Sequence, residues 1–256
     1  MPMLLETEQI GLREKLVLCG LYLSKFDTIG LKILGFDSFI EAFNVLGYSL
    51  GSKPASVKNY RDEFDPLFPN ARKGWHKRST RKYCLEVFER FNALDLETFA
   101  GLLKSFVTGG RSYPSFIDSE EKTDAEDSSF ARRLITGLAA EQYFETMQPS
   151  LPEFKDFRLE NTTRLGCGYD FRLTSGKKSE FTAVEVKGIA GHRGLLSLTP
   201  KEHEVAKILN ERYFLFVVRN FNEEPCHDIY KSPLTCGLRF KKQERVIVQI
   251  SWSVSV

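Results

Sequence analysis

The sequence predicts an α+β protein, with an N-terminal helical region followed by a mixed sheet in the order α-β-β-β-α-β. Three observations carry that expectation. The first hundred residues repeat apolar side chains at helical spacing. Residues 168–187 alternate as two strands around a turn of Gly, Ser and Lys. Residues 213–218 form an unbroken apolar run, the pattern of a strand buried on both faces. A chain of 256 residues, 42% apolar and 27% charged, can bury one large core or two small ones. We divide it into a helical, helix-turn-helix-like part over 1–108, an acidic linker over 109–128 and a sheet-bearing part over 129–256.

Taken in order, residues 10–24 carry Ile10, Leu12, Leu16, Val17, Cys19 and Leu23 and read as a first helix. Residues 38–46, with Phe39, Ile40, Phe43 and Leu46, form a short amphipathic helix that Gly47 should stop. After the turn at 51–54, Ser56 is placed to cap a polar helix through Val57, Tyr60 and Phe64, ended by Pro66. Helix, turn and polar helix is the order of a DNA-binding motif, and small helical bundles share it for packing reasons. Two more helices, 80–91 and 96–107, close at Gly109 and Gly110.

Basic residues crowd the segment 53–82: Lys53, Lys58, Arg61, Arg72, Lys73, Lys77, Arg78, Arg81 and Lys82 stand against Asp62, Glu63 and Asp65. Within it, Arg72, Lys73, Lys77 and Arg78 surround Trp75 and His76. That is the composition of a loop meeting phosphate, with a ring able to stack on a base. A solvated basic face with Trp75 beneath it has the same composition. The net charge of +2 does not choose between them, since it is the distribution of charge that steers a polyanion.

Residues 109–128 bring two glycines, Pro114 and a series of acids with few apolar side chains, the mark of a linker or mobile loop. The next helix starts at Ser128 or Ser129 and runs through Leu134, Leu138 and Phe144 to about Met147, with Glu141 on it. Residues 157–161 supply a first strand, and 169–174 with 181–187 the hairpin. A Gly-rich loop over 188–194 holds His192 and Arg193, which are placed to meet a phosphate backbone or to sit in solvent. Thr199, Pro200 and Glu202 form a capping box that reads Glu202 as a structural acid. The tail, 239–256, alternates through Val246, Val248, Ile250 and Trp252 as a further strand.

The chemistry concentrates on the hairpin. Side chains two apart on a strand share a face, so Glu185 and Lys187 project together while Val184 and Val186 turn to the core. A turn centred between Lys177 and Lys178 sets Asp170 opposite Glu185, with Cβ atoms roughly 4.5–5.5 Å apart. Two carboxylates that close repel and raise a pKa. A divalent cation relieves this, and Mg²⁺ is commonly held by one or two carboxylates plus substrate phosphate. Lys187 would then steady a water or the charge on the phosphate. A solvated cross-strand ion pair would show the same spacing.

Asp170 followed by Glu185, Val186 and Lys187 resembles the PD-(D/E)XK nuclease signature, with Tyr169 standing where that signature has Pro. The resemblance extends to residues 137–144, similar to the helix that precedes the sheet in that superfamily, with Glu141 in the place of its accessory acid. Residues 198–202 and 213–218 are similar to the helix and strand that follow. The likeness covers roughly the C-terminal half and is nearest the restriction-endonuclease-like branch. It implies a restriction-endonuclease-like αβββαβ core and a Mg²⁺-dependent endodeoxyribonuclease, a type II restriction or related bacterial defence enzyme in which Mn²⁺ substitutes. Asp170 and Glu185 would be the metal ligands, with Lys187 and Glu141 completing the catalytic set.

Double-stranded DNA is the expected partner, cut by a homodimer, since each chain offers one such site. Two other readings compete: a catalytically silent nucleic-acid-binding module on the same fold, and a basic helical surface for an acidic protein. The intact Asp, Glu and Lys set favours the enzyme. Cys19, Cys84, Cys167, Cys226 and Cys236 show no paired spacing and point to reduced thiols. With no apolar run near 18 residues and no basic-then-apolar leader, the expectation is a cytoplasmic protein without a membrane span.

Overall fold

The computed structural model describes residues 10–72, 78–108, 124–176 and 180–244, with the backbone only at 108 and over 124–131. In order the elements are α1 (Leu12–Leu34), α2 (Phe39–Ser49), α3 (Pro54–Phe64), α4 (Lys82–Phe91), α5 (Leu96–Thr108), α6 (Asp124–Met147), β1 (Arg158–Asn161), β2 (Phe171–Thr174), β3 (Phe181–Gly188), α7 (Pro200–Leu209), β4 (Tyr213–Arg219) and β5 (Cys226–Lys231). The architecture is α+β, and α6 to β4 follow the expected αβββαβ order.

Several boundaries differ from the sequence reading, each for a local reason. The first helix does not end at Ser24. It bends at Asp27 (φ 49°, ψ −134°) and continues to Gly35, because Leu31 and Leu34 beyond the bend are also buried. Gly47 does not stop α2 either. Ser38 caps the helix by accepting from the Glu41 N–H at 3.1 Å, and Gly47 is a contact position: a Cβ there would lie 2.8 Å from Pro54 Cα. Helix α3 starts at Pro54 rather than after Ser56, with the fixed proline φ serving the first turn. Helix α6 starts at Asp124, inside the stretch read as linker, and an acidic sequence suits a helix N-terminus.

The sheet has the order β1-β2-β3-β4-β5, antiparallel throughout except for β3 and β4, which run parallel through the α7 crossover. Strand β5 was not anticipated; it pairs His227 with Val218 and Asp228 with Val217. Of the expected tail strand, 239–244 is not strand and 245–256 lies outside the described residues.

Helix α6 packs on one face of the sheet, with the Phe144 ring 5.0 Å from Phe171 and 4.8 Å from Phe216 between centroids. The same apolar core continues into α1, α2, α3 and α5. Asn44 of α2 reinforces it by donating to the carbonyls of Phe221 (2.7 Å) and Glu223 (2.8 Å), just after β4. Helix α7 covers the other face, where Val205, Ala206 and Leu209 meet Ala183, Phe181 and Tyr213. Among the described residues no helix is long and apolar enough to cross a membrane.

Candidate active site

The register of β2 and β3 pairs Phe171 with Val184 and Thr174 with Phe181. Continued by one residue, it sets Asp170 opposite Glu185, as the hairpin spacing predicts. At that point the ladder gives way. The Asp170 N–H reaches the Val184 carbonyl (3.1 Å), and its carboxylate Oδ2 accepts from the Val186 N–H (2.8 Å). Thr162 holds the other side, its N–H and Oγ1 donating to the Asp170 carbonyl at 2.8 and 3.0 Å. Asp170 is thus fixed by backbone on both flanks.

Along β3 the residues alternate as expected: Val184 and Val186 join the α6-side core, while Glu185 and Lys187 lie on the α7 side. Glu185 is more buried than a projecting acid, at 3% exposure. The Lys187 Nζ donates to Glu185 Oε1 at 2.5 Å and to Glu202 Oε2 at 2.9 Å. Glu202 therefore has two roles. It closes the capping box with Thr199, accepting from the Thr199 N–H at 3.0 Å, and it holds the lysine. Reading it as purely structural was incomplete; no local pattern could disclose a partner 15 residues away across the crossover.

The electrostatics follow from this crowding. Burial pushes the Glu185 carboxyl up to about 9; Asp170 adds to the rise, Lys187 opposes it and Glu202 adds again. For Lys187 burial acts to lower the pKa, but Glu185 and Glu202 outweigh it and hold the ammonium charged. The ammonium is thus shared by two acids, while burial and the neighbouring Asp170 disfavour the charged form of Glu185.

These groups open onto a cleft of about 740 Å³ at the C-terminal end of β3. Asp170, Glu185, Lys187 and Glu202 line it, and Glu141 enters from α6, so the structure brings the four expected catalytic residues to one cavity. Arg132 and Arg133 of α6 and Asn222 also line it, none of them singled out by sequence. Gly188 brings the two sides together: a Cβ there would meet the Thr136 carbonyl at 2.7 Å and Ala140 Cβ at 3.1 Å, so α6 sits against the strand immediately after Lys187.

Among the described residues no group of three or more His, Cys, Asp or Glu is arranged as a metal cage. Asp170 and Glu185 are the two carboxylates beside the cleft that could hold a hard cation, since an ion such as Mg²⁺ retains waters and takes one or two protein oxygens.

The expected DNA-binding residues fall elsewhere. Arg72 bonds Asp65 (3.0 Å) and Asp27 (2.7 Å), and Arg78 bonds Glu63 (2.9 Å). The acids of the basic segment are all buried and paired: Asp62 and Asp65 with Arg61, Glu63 with Arg81 as well. Much of the local positive charge is therefore neutralised internally. Lys73, Trp75, His76 and Lys77 lie outside the described residues. His192 and Arg193 are exposed on the loop after β3, and His192 Nε2 lies 3.2 Å from Glu223.

The family described as Protein NO VEIN, C-terminal, matches residues 143–231. That span falls short of half the chain. It includes Asp170, Glu185, Lys187 and Glu202, and leaves Arg132, Glu141 and helices α1 to α5 outside. No curated protein and no solved structure matches.

Proposed function

We propose that the cleft is the active site of a Mg²⁺-dependent endonuclease that hydrolyses phosphodiester bonds of double-stranded DNA, an enzyme of restriction or related defence type acting as a homodimer on its duplex. One observation carries the reading: Asp170, Glu185 and Lys187 converge from a single hairpin on a cleft that Glu141 enters from the opposite side. The resemblance of these residues to the PD-(D/E)XK signature supports the same reaction class.

Asp170 and Glu185 would hold Mg²⁺, or Mn²⁺ in its place. Bound there, the cation supplies charge stabilisation at a phosphoryl oxygen and a more acidic water. Lys187 offers a charged ammonium to steady the attacking water or the charge developing on the phosphate. Glu202 keeps that ammonium from collapsing wholly onto Glu185. The Val186 N–H orients Asp170, and Glu141, which lines the cleft, would accept a proton from a water crossing it.

Incubation of the purified protein with varied duplexes, with and without Mg²⁺, tests the proposal. Strand breaks that appear only with the cation are expected. Duplex that is bound yet stays whole with Mg²⁺ and with Mn²⁺ would overturn the enzyme reading and leave a silent nucleic-acid-binding module.

A further inference from the structure

We infer that Arg132 and Arg133 of α6 form a phosphate-binding subsite on the cleft wall, taking the backbone of the nucleic-acid strand beside the phosphate that is cut. The inference deepens the nuclease reading and rests on it for the source of the phosphate. Both arginines line the same cleft as Asp170, Glu185 and Lys187. A cleft whose floor carries several acids needs positive charge on its walls if a polyanion is to enter.

Arg132 is preorganised. Its Nε bonds Glu41 Oε1 at 2.7 Å, and its Nη2 lies 2.6 Å from Glu41 Oε1 and 2.8 Å from Asp37 Oδ2. These contacts engage Nε and Nη2 of a group with five N–H donors. Burial acts to lower its pKa, but Glu41 and Asp37 outweigh that and hold the charge, at 24% side-chain exposure. Glu41 and Asp37 offset its charge, so Arg132 offers a phosphate oriented N–H donors that lose little freedom on binding, and the uncompensated charge of the wall comes from Arg133.

Arg133 is exposed beside it. At 3.6 residues per turn, the cleft-lining residues Arg132, Arg133, Thr136, Gly137 and Glu141 sweep roughly half of the helix surface, with Arg133 near the middle of the arc. The contact of α6 with Gly188 involves Thr136 and Ala140, three to eight residues beyond the two arginines, or roughly 5–12 Å along the axis. The arginines therefore lie about one to two helical turns from the junction next to Lys187, on the wall of the same cleft.

The test measures affinity of the full chain for a short labelled duplex across a salt series, with Ca²⁺ replacing Mg²⁺ to suppress turnover. Arg133→Ala is expected to make the slope of log affinity against log salt shallower by about 0.9, and Arg133→Lys to preserve it. Arg132→Gln combined with Glu41→Gln, which strands no buried charge, should remove about 0.9 as well. Circular dichroism checks that each variant is folded. Unchanged slopes in both Arg133→Ala and the double variant overturn the subsite, as does absence of duplex binding by the wild type. Arginine-dependent slopes without Mg²⁺-dependent cleavage would overturn the nuclease reading while supporting the subsite. Cleavage by the wild type with arginine-independent slopes would do the reverse.

Discussion

Glu202 carries the site's least obvious relationship, because one carboxylate both caps α7 and holds Lys187. Gln at the same position preserves the cap and removes the charge. Glu202→Gln is therefore expected to alter stability by less than about 1 kcal/mol and to reduce Mg²⁺-dependent cleavage by about tenfold, the equivalent of roughly 1.4 kcal/mol at the transition state. Thr199→Ala, losing the cap alone, should cost about 1 kcal/mol of stability. Chemical denaturation and cleavage rates separate the two effects. Asp170, Glu185 and Lys187 were legible in sequence because a hairpin converts spacing directly into proximity. Glu202, Arg132 and Arg133 were not, since their places depend on how helices dock against the sheet. Glu63 shows the same limit within the basic segment. Burial acts to raise its pKa, yet bonds from Arg81 and Arg78 prevail and hold it below its ordinary 4.5. Its stabilisation is thus present above pH 4.5 and is lost as pH falls through the lower folded value. Glu63→Gln should cost about 1.5–3 kcal/mol near neutrality, the worth of charged hydrogen bonds, since both arginines left behind can turn to water. Urea unfolding across acidic pH should show the gap from wild type narrowing as pH drops.

At the scale of elements, the junction of α6 and β3 sets the cleft's width. Gly188 permits that approach, and Gly188→Ala drives a methyl group against the Thr136 backbone carbonyl. The expected result is a loss of about 1–3 kcal/mol from overpacking, together with reduced cleavage at temperatures where the variant remains folded. Thermal melting and activity on one preparation test both parts; wild-type values for the two would show that the contact sets nothing. The αβββαβ order was readable because each of its segments has a clear period. The start of α6 was not, as an acidic composition suits a linker and a helix N-terminus alike. Strand β5 escaped because Cys226, His227 and Asp228 lack an apolar alternation; pairing with the buried strand β4 makes them a strand.

For the whole molecule, helices from the N-terminal region share one core with the sheet, so the region bearing Glu41 and the cleft bearing Lys187 are mechanically connected. One proposed site per chain, acting on two antiparallel strands, leads to two chains on a two-fold symmetric duplex. Sedimentation on a short cleavable duplex should give that ratio, whereas double-strand breaks from a strictly one-to-one complex would contradict it. The central claim is that Asp170, Glu185 and Lys187 form a hydrolytic centre, and the most direct measurement is Mg²⁺-dependent cleavage by Glu185→Gln and Lys187→Ala beside the wild type, with melting curves taken on the same samples. Both variants are expected to stay folded and to lose at least about 10²-fold in cleavage rate. Folded variants that cut at the wild-type rate would contradict the account.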